Sequence, residues 1–450
     1  MTTPTDQREW WPAPLADQPV AAQVTLPGSK SITNRALVLA ALARTPSIIC
    51  RPLIARDTEL MMHGLEALGA DIGIGERSND ILVVPKALRG PARVDVGNAG
   101  TVMRFLLPVA ALADGDVEFD GDARSHERPL GPVIDALSSL GVVVDHGGRR
   151  ALPLVVRGTG VVAADGAGDR VVQIDASASS QFVSALLLAA PRFAQPLVIR
   201  HVGTAVPSQP HIDMTIEMLR DCGVVVDSTR ANEWRVEPTA FDGFELTVEP
   251  DLSNAAAFLA AAMVTAGTVT VDGWPARTTQ AGDRLRYLFD AMGARCELSA
   301  DGLTLHGPQR IAPIDVDLHD TGELAPVLAA VCARATGPST LRGIAHLRLH
   351  ETDRLAALAR ELSALGVHAK TRRGAVPGRA VARRTADDRL DVEPPRELLL
   401  IEQHTRSGID TKKRPHAQSR CDRARDSVRR CQLRSSGACH LATPLPSANR

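Results

Sequence analysis

The stretch HGLEALGADIGI, residues 63–74, couples a short amphipathic helical pattern to a glycine and then to a β-like run. The same design recurs as VIDALSSLGVVVD (133–145), TIEMLRDCGVVVD (215–227), LRYLFDAMGARCEL (285–298) and LARELSALGVHAK (358–370). In each copy apolar residues fall at i, i+3 and i+4, and the glycine after the last of them sits where a left-handed helix C-cap is expected. Gly69, Gly141, Gly223, Gly293 and Gly366 are 72, 82, 70 and 73 residues apart. Strand-like runs such as DILVVP, VEFDG, LVIRHVG and TVTVDG lie between the helices. The unit therefore reads as a repeated α/β module that must stack on its neighbours, because it cannot bury both faces alone.

Five copies in 450 residues predict two domains of three modules, with a sixth helix near residue 438. That region reads RRCQLRSSGACHLATP and has no apolar stripe of helical period. Residues 371–450 carry 18 Lys and Arg against 9 Asp and Glu, whereas the preceding 370 residues hold 33 against 43. The basic stretch reads either as a disordered extension or as the product of a reading-frame change that removed the last module. Its basic residues lack interleaved aromatics or a recognisable module, so no nucleic-acid partner is expected.

The remaining composition bounds the class. Hydrophobic residues make up 44% and aromatics 3%, with 35 Gly and 30 Pro, so packing relies on aliphatic side chains between many turns. Apolar runs fall short of the ~20 residues that a membrane span needs, and the N-terminal segment does not resemble a signal peptide; a cytoplasmic location is expected. Seven cysteines without a CxxC pair offer neither a disulfide framework nor a zinc site and are read as free thiols.

Four motifs share a Gly- or Ser-rich turn, a basic or hydroxyl side chain and a helix start, the arrangement that presents backbone N–H groups and positive charge to anions. In PGSKSITNRALVLAALA (27–43), Lys30 and Ser31 sit at the turn and Arg35 falls one helical turn beyond Ser31. VGNAGTVMRFLLPVAAL (96–112) places Asn98 and Gly100 in a turn, with Thr101 as a plausible N-cap. HERPLGPVIDAL (126–137) aims Arg128 from a loop. DASASSQFVSALLLAA (175–190) crowds Ser177, Ser179, Ser180 and Gln181 at a helix start, more hydroxyls than one cap uses. VPSQPHIDM adds Ser208 and His211. Glu323 in DLHDTGELAPVL and Glu351, Asp353 and Arg354 in HETDRL open two further helices; acids there complement the helix dipole, and two carboxylates near several bases also suit proton transfer.

Taken in order over residues 18–370, PGSKS-x-x-NRAL, GNAGT-x-MR, ERPLG, SSQF and HETDRL resemble the enolpyruvyl transferase family, specifically its 5-enolpyruvylshikimate-3-phosphate (EPSP) synthase branch. The resemblance implies an α/β fold of two domains, each of three βαβαββ modules related by three-fold pseudo-symmetry, with the site between them. A discontinuous first domain would comprise 1–25 and 249–370, its last module missing or altered; the second would span 26–248, and 371–450 would be a non-family tail. The implied reaction moves the enolpyruvyl group of phosphoenolpyruvate to the 5-hydroxyl of shikimate 3-phosphate and releases phosphate, in a monomer without cofactor or metal. Lys30, Glu323 and Glu351 would be catalytic. Shikimate 3-phosphate would meet Lys30, Ser31, Arg35, Ser179, Ser180, Gln181, Ser208, Glu323 and His350. Phosphoenolpyruvate would meet Lys30, Asn98, Gly100, Arg128, Gln181 and Arg354.

The sequence departs from the family at His211, where many relatives carry Tyr, and at His346 and His350, where many have Asn and Lys. The family's late Asp-His-Arg motif has no match, ADDRLD (386–391) reading as a superficial echo, and Lys412 and Lys413 lie in the wrong context for its C-terminal lysine. Losing two such cationic contacts, at ~1.5–3 kcal/mol each, is expected to weaken phosphoenolpyruvate binding by orders of magnitude. Two alternatives remain at this level. One is a UDP-N-acetylglucosamine enolpyruvyl transferase, disfavoured because no cysteine occurs between Cys50 and Cys222; the other is a non-catalytic anion-binding protein of the same fold.

Overall fold

A computed structural model describes residues 16–76, 79–162, 168–372 and 388–395. In chain order, β1 (Ala21–Val24) precedes α1 (Lys30–Leu42), β2 (Ser47–Cys50), α2 (Arg56–Ala67), β3 (Asp71–Ile74) and β4 (Ile81–Val84). A full βαβαββ module follows as β5 (Ala92–Asp95), α3 (Gly100–Ala110), β6 (Asp114–Asp120), α4 (Gly131–Ser139), β7 (Val143–Asp145) and β8 (Leu154–Thr159). Another runs through β9 (Arg170–Ile174), α5 (Gln181–Ala189), β10 (Leu197–His201), α6 (Gln209–Asp221), β11 (Val226–Asp227) and β12 (Glu233–Val236). After β13 (Glu245–Thr247) come α7 (Leu252–Thr265), β14 (Thr268–Asp272), α8 (Leu285–Ala291), β15 (Arg295–Leu298) and β16 (Gly302–His306). The last described module is β17 (Asp315–Asp317), α9 (Ala325–Cys332), β18 (Ser339–Arg342), α10 (Arg354–Ala364), β19 (His368–Arg372) and β20 (Arg389–Glu393).

Among the described residues these strands form five four-stranded sheets of one topology: β13-β2-β4-β3, β5-β6-β8-β7, β9-β10-β12-β11, β1-β14-β16-β15 and β17-β18-β20-β19. In every sheet the first two strands are parallel and the other pairs antiparallel. A parallel pair needs a crossover, which α3, α5 and α9 supply in the three modules whose first two strands are consecutive. Two modules borrow their first strand: β13 returns to β2, and β1 reaches across to β14. The chain thus crosses between lobes twice, and the two crossings are tied by Ser29 N–H to Glu249 O (2.8 Å) and Asp251 N–H to Pro27 O (3.0 Å).

All five repeat glycines have positive φ, +116°, +85°, +80°, +99° and +83° in chain order. Each ends its helix in the same way, its N–H bonding the carbonyl three residues back while the next residue bonds five back, as in Gly141 to Ser138 and Val142 to Leu137. This is the Schellman closure, and a left-handed residue there makes it possible.

Two hydrophobic cores result. One gathers apolar residues from Ile32 to Val248, the other Leu26 with residues from Leu252 to Val392. In the first, α1, α3 and α5 pack together and are almost wholly enclosed, with 11 of 13, 11 of 11 and 8 of 9 residues buried. Among the described residues the second has α7 and α9 in this role, and α7 buries 6 of its 14 residues. Phe258 and Val264 on its outer side are 43% and 39% exposed. A third central helix has no counterpart among the described residues, and the region near residue 438, where the repeat spacing places a sixth copy, lies outside them.

Two sequence readings change. The family-like body was taken to end at 370, yet Thr371, Arg372 and Arg389–Glu393 belong to the last sheet: ADDRLD leads into β20, whose Leu390 and Val392 are buried against β18 and β19. Alternation of buried Leu390 and Val392 with polar Arg389 and Asp391 was the strand signal. Thr101 is not the cap of α3; Ala99 holds that position, and the Thr101 hydroxyl accepts from Asn34 Nδ2 at 2.9 Å. The tail beyond 395, and its expected disorder, lie outside the described residues.

Gly141 and Gly366 have open space where a Cβ would stand. Replacing either by Ala should therefore cost only the left-handed backbone penalty, about 1–2 kcal/mol, measured as a shift in the urea midpoint.

Candidate active site

Lys30 is the first residue of α1, and its backbone N–H donates to the carboxylate of Asp251 on the other crossing (3.1 Å). Its ammonium, 46% exposed, lies 3.2 Å from Asp57 Oδ2. One turn later Arg35 is 1% exposed. Its guanidinium donates to the Ser31 carbonyl (2.9 Å), the Thr215 hydroxyl (2.8 Å) and the His211 carbonyl (3.0 Å), all neutral acceptors. Burial lowers its pKa to about 9.

A second cluster forms where α3 begins. A Cβ on Gly100 would stand 2.6 Å from Arg128 Nη2, 3.1 Å from Gln181 Oε1 and 3.2 Å from Arg104 Nη1. Three polar side chains from three separate segments therefore converge on Gly100, where a Cβ would displace the end of Arg128. Arg104 Nη1 donates to Gln181 Oε1 (2.6 Å), and Arg128 donates to the Asn98 carbonyl and, at 3.3 Å, to Asn98 Oδ1. Arg104 and Arg128 each keep a buried Nε–H without an acceptor. Burial lowers the pKa of both, Arg104 to about 9.

Across the seam, Glu351 lies 3.4 Å from Arg128 and 2.8 Å from Arg354, so one carboxylate bridges the lobes. Arg354 begins α10, which Asp353 caps by accepting from Ala356 N–H (3.0 Å). Arg348 fixes this loop, donating to Asp353 (3.2 Å) and to Asp388 (2.7 Å) just before β20. Glu323, in the short turn before α9, is 3.9 Å from His211, and burial lifts its carboxyl to about 7. His211, His346 and His350 are held neutral, at about 3, 4 and 3, burial being the chief cause in each case.

Ser180 is buried at the N-cap of α5 but makes no side-chain cap bond, so its hydroxyl is not committed to capping. Ser179 Oγ accepts from Gln181 N–H (3.3 Å). Ser208, left-handed at φ +56° ahead of α6, donates its N–H to the His319 carbonyl of the other lobe (3.0 Å). A cleft of about 1050 Å³ opens between the lobes, lined by Pro129, Ser177 and Phe182 on one side and Thr321, His346 and Leu349 on the other. Of the residues singled out from the sequence, Ser177 and His346 line it, whereas others adjoin it in sequence: Arg128 precedes Pro129, Gln181 precedes Phe182, and His350 follows Leu349.

Arg104 and Asp251 were not singled out from the sequence. Arg104 had a signal, being the single charged residue in an otherwise apolar helix, where an unpaired cation is costly. Asp251 had none, since its contact with Lys30 spans 221 residues.

Two lobes of repeated βαβαββ modules, with buried guanidiniums short of carboxylates near the seam between them, define an α/β protein of the enolpyruvyl transferase type. A family model described as EPSP synthase (3-phosphoshikimate 1-carboxyvinyltransferase) matches residues 15–388. A 3-phosphoshikimate 1-carboxyvinyltransferase of Kocuria rhizophila is 52% identical over 372 residues, covering 80% of this chain and 82% of that one. Among solved structures, an EPSP synthase of Acinetobacter baumannii is similar in fold, with a TM-score of 0.63 at 20% identity over 83% of this chain and 81% of its own. The enolpyruvyl transferase NikO of Streptomyces tendae gives 0.60 at 18%, over 84% and 83%. The chain belongs to the EPSP synthase family.

Thr215→Val would leave the buried Arg35 Nε–H without its acceptor. A loss of about 1–3 kcal/mol in unfolding free energy is expected, and Thr215→Ser should recover most of it.

Proposed function

We propose that this chain transfers the enolpyruvyl group of phosphoenolpyruvate to the 5-hydroxyl of shikimate 3-phosphate, releasing phosphate, a step of the shikimate route to aromatic amino acids. The observation that carries the reading is the convergence of Arg104, Arg128 and Gln181 on Gly100, with Glu351 and Arg354 facing them from the other lobe. Buried cations without enough carboxylates favour an anionic ligand, because the ligand replaces the solvation they have lost. The name of the 52%-identical relative supports this choice of substrates.

Phosphoenolpyruvate is assigned to Arg128, Arg354, Gln181, Asn98 and the open backbone at Gly100, with Arg104 beneath. Shikimate 3-phosphate is assigned to Ser179, Ser180, Gln181 and Ser208, beside Lys30, Ser31, His350 and Glu323. Arg35 acts from below, positioning Ser31 and the first turn of α6. Glu323, with a carboxyl near 7, is suited to accept the 5-hydroxyl proton at neutral pH. The alkoxide attacks C2 of the enol while C3 gains a proton from Glu351. Return of that proton to Glu351 restores the double bond as the C2–O bond to phosphate breaks. Lys30, close to both crossings, offsets the charge of the two anions as they meet.

The half-exposed α7 favours a second reading, in which the cleft binds its ligands but turns over slowly, because Glu323 and Arg354 stand on the lobe that has two central helices among the described residues. Phosphate release from the two substrates, compared with calorimetric binding of shikimate 3-phosphate, separates the two. In active protein kcat/KM should fall as pH drops below about 7, where Glu323 becomes protonated. Glu323→Gln should lower kcat by ~10²–10⁴ and remove that limb. A limb that survives the substitution excludes Glu323 as the base.

A further inference from the structure

The two arginines assigned to phosphoenolpyruvate already hold a carboxylate. Glu351 Oε1 is 3.4 Å from Arg128 Nη2, and Oε2 is 2.8 Å from Arg354 Nη2. Arg128, with 2% of its side chain exposed, has Glu351 as its carboxylate contact and is otherwise held by Asn98. The groups acting on Glu351 are cationic or neutral: Arg354 on α10, Arg128 from the loop before α4, and His350 beside it in the chain. Farther out, Arg104 acts on His350, Arg124 (paired with Glu127) donates to the His350 carbonyl, and Asp57 acts on Arg128.

Burial on its own would lift the Glu351 carboxyl, but Arg354 and then Arg128 outweigh it and hold it at about 2. An ionised carboxylate has no proton to give to C3. Proton donation by Glu351 therefore requires a change of surroundings between the ligand-free protein and the reacting complex.

We propose that Glu351 is an internal stand-in for the substrate anion: phosphoenolpyruvate displaces it from Arg128 and Arg354, and the released carboxylate takes one proton from solvent, so that binding itself loads the acid. This inference rests on the proposed function. Once the ligand's negative groups satisfy both guanidiniums, Glu351 faces like charge in place of two cations, and this change, added to its partial burial, favours the neutral carboxyl. Glu323 marks the direction: in the same seam, without an arginine in contact, burial lifts its carboxyl to about 7. The proton taken up offsets one of the negative charges that the ligand brings into the seam.

Calorimetric titration with phosphoenolpyruvate alone, in two buffers of different ionisation enthalpy, counts the protons taken up per ligand bound. Glu351 is 42% exposed on a bend, so Glu351→Gln keeps shape while removing the titrating group, and the ligand's own protonation cancels between the two proteins. At about pH 6 proton uptake by the native protein should exceed that of Glu351→Gln by roughly half a proton or more per ligand. Glu351→Gln, freed of the competing carboxylate, should bind the ligand about fivefold more tightly. Equal proton uptake, or weaker binding by Glu351→Gln, overturns the exchange while leaving the site in place. Failure of both proteins to bind overturns the site reading and the exchange with it.

Discussion

A guanidinium shut away from water without a carboxylate beside it is among the more expensive things a protein can bury, and this chain places Arg35, Arg104 and Arg128 in or near that condition around one seam. Much else in the fold serves to hold them there. Arg35 spends its donors on hydroxyls and carbonyls of α1 and α6, so those helices cannot move independently of it. Arg104 and Arg128 have fewer partners, and their unused Nε–H groups give the seam its demand for an anion.

Module topology explains why the charge collects in one place. Each sheet starts with a parallel pair, which fixes the direction of its crossover helix relative to the sheet. Functional side chains accordingly stand at helix beginnings: Lys30 on α1, Gly100 on α3, Gln181 on α5, Ser208 ahead of α6, Glu323 ahead of α9 and Arg354 on α10. The positive ends of these helices add to the side-chain cations. The double crossing then brings Lys30 against Asp251 and fixes one edge of the seam.

The lobes are unequal in packing. Three enclosed central helices support Gly100, Gln181 and Arg35, whereas Glu323, Glu351 and Arg354 stand on the lobe where α7 keeps an apolar side uncovered. Fewer buried apolar contacts mean a lower local opening free energy. Glu323 and Glu351 thus lie on the less enclosed half of the described structure, where the ion pairs of Arg348 with Asp353 and Asp388 anchor the HETDRL loop to the last sheet.

Sequence alone determined the repeat, the left-handed glycine closing each module's second helix and the glycine- and serine-rich turns that precede the helices, because these depend on residues within one helix or one turn of each other. It misplaced the end of the body, since β20 is only five residues long and is separated from β19 by a stretch without periodicity. Tertiary structure decided the rest. The pairing of Arg104 with Gln181, the contact of Glu351 with Arg128 and the crowding of side chains against Gly100 all depend on groups dozens to hundreds of residues away. Charge and burial at such points are properties of the assembled seam, and no local pattern along the chain encodes them.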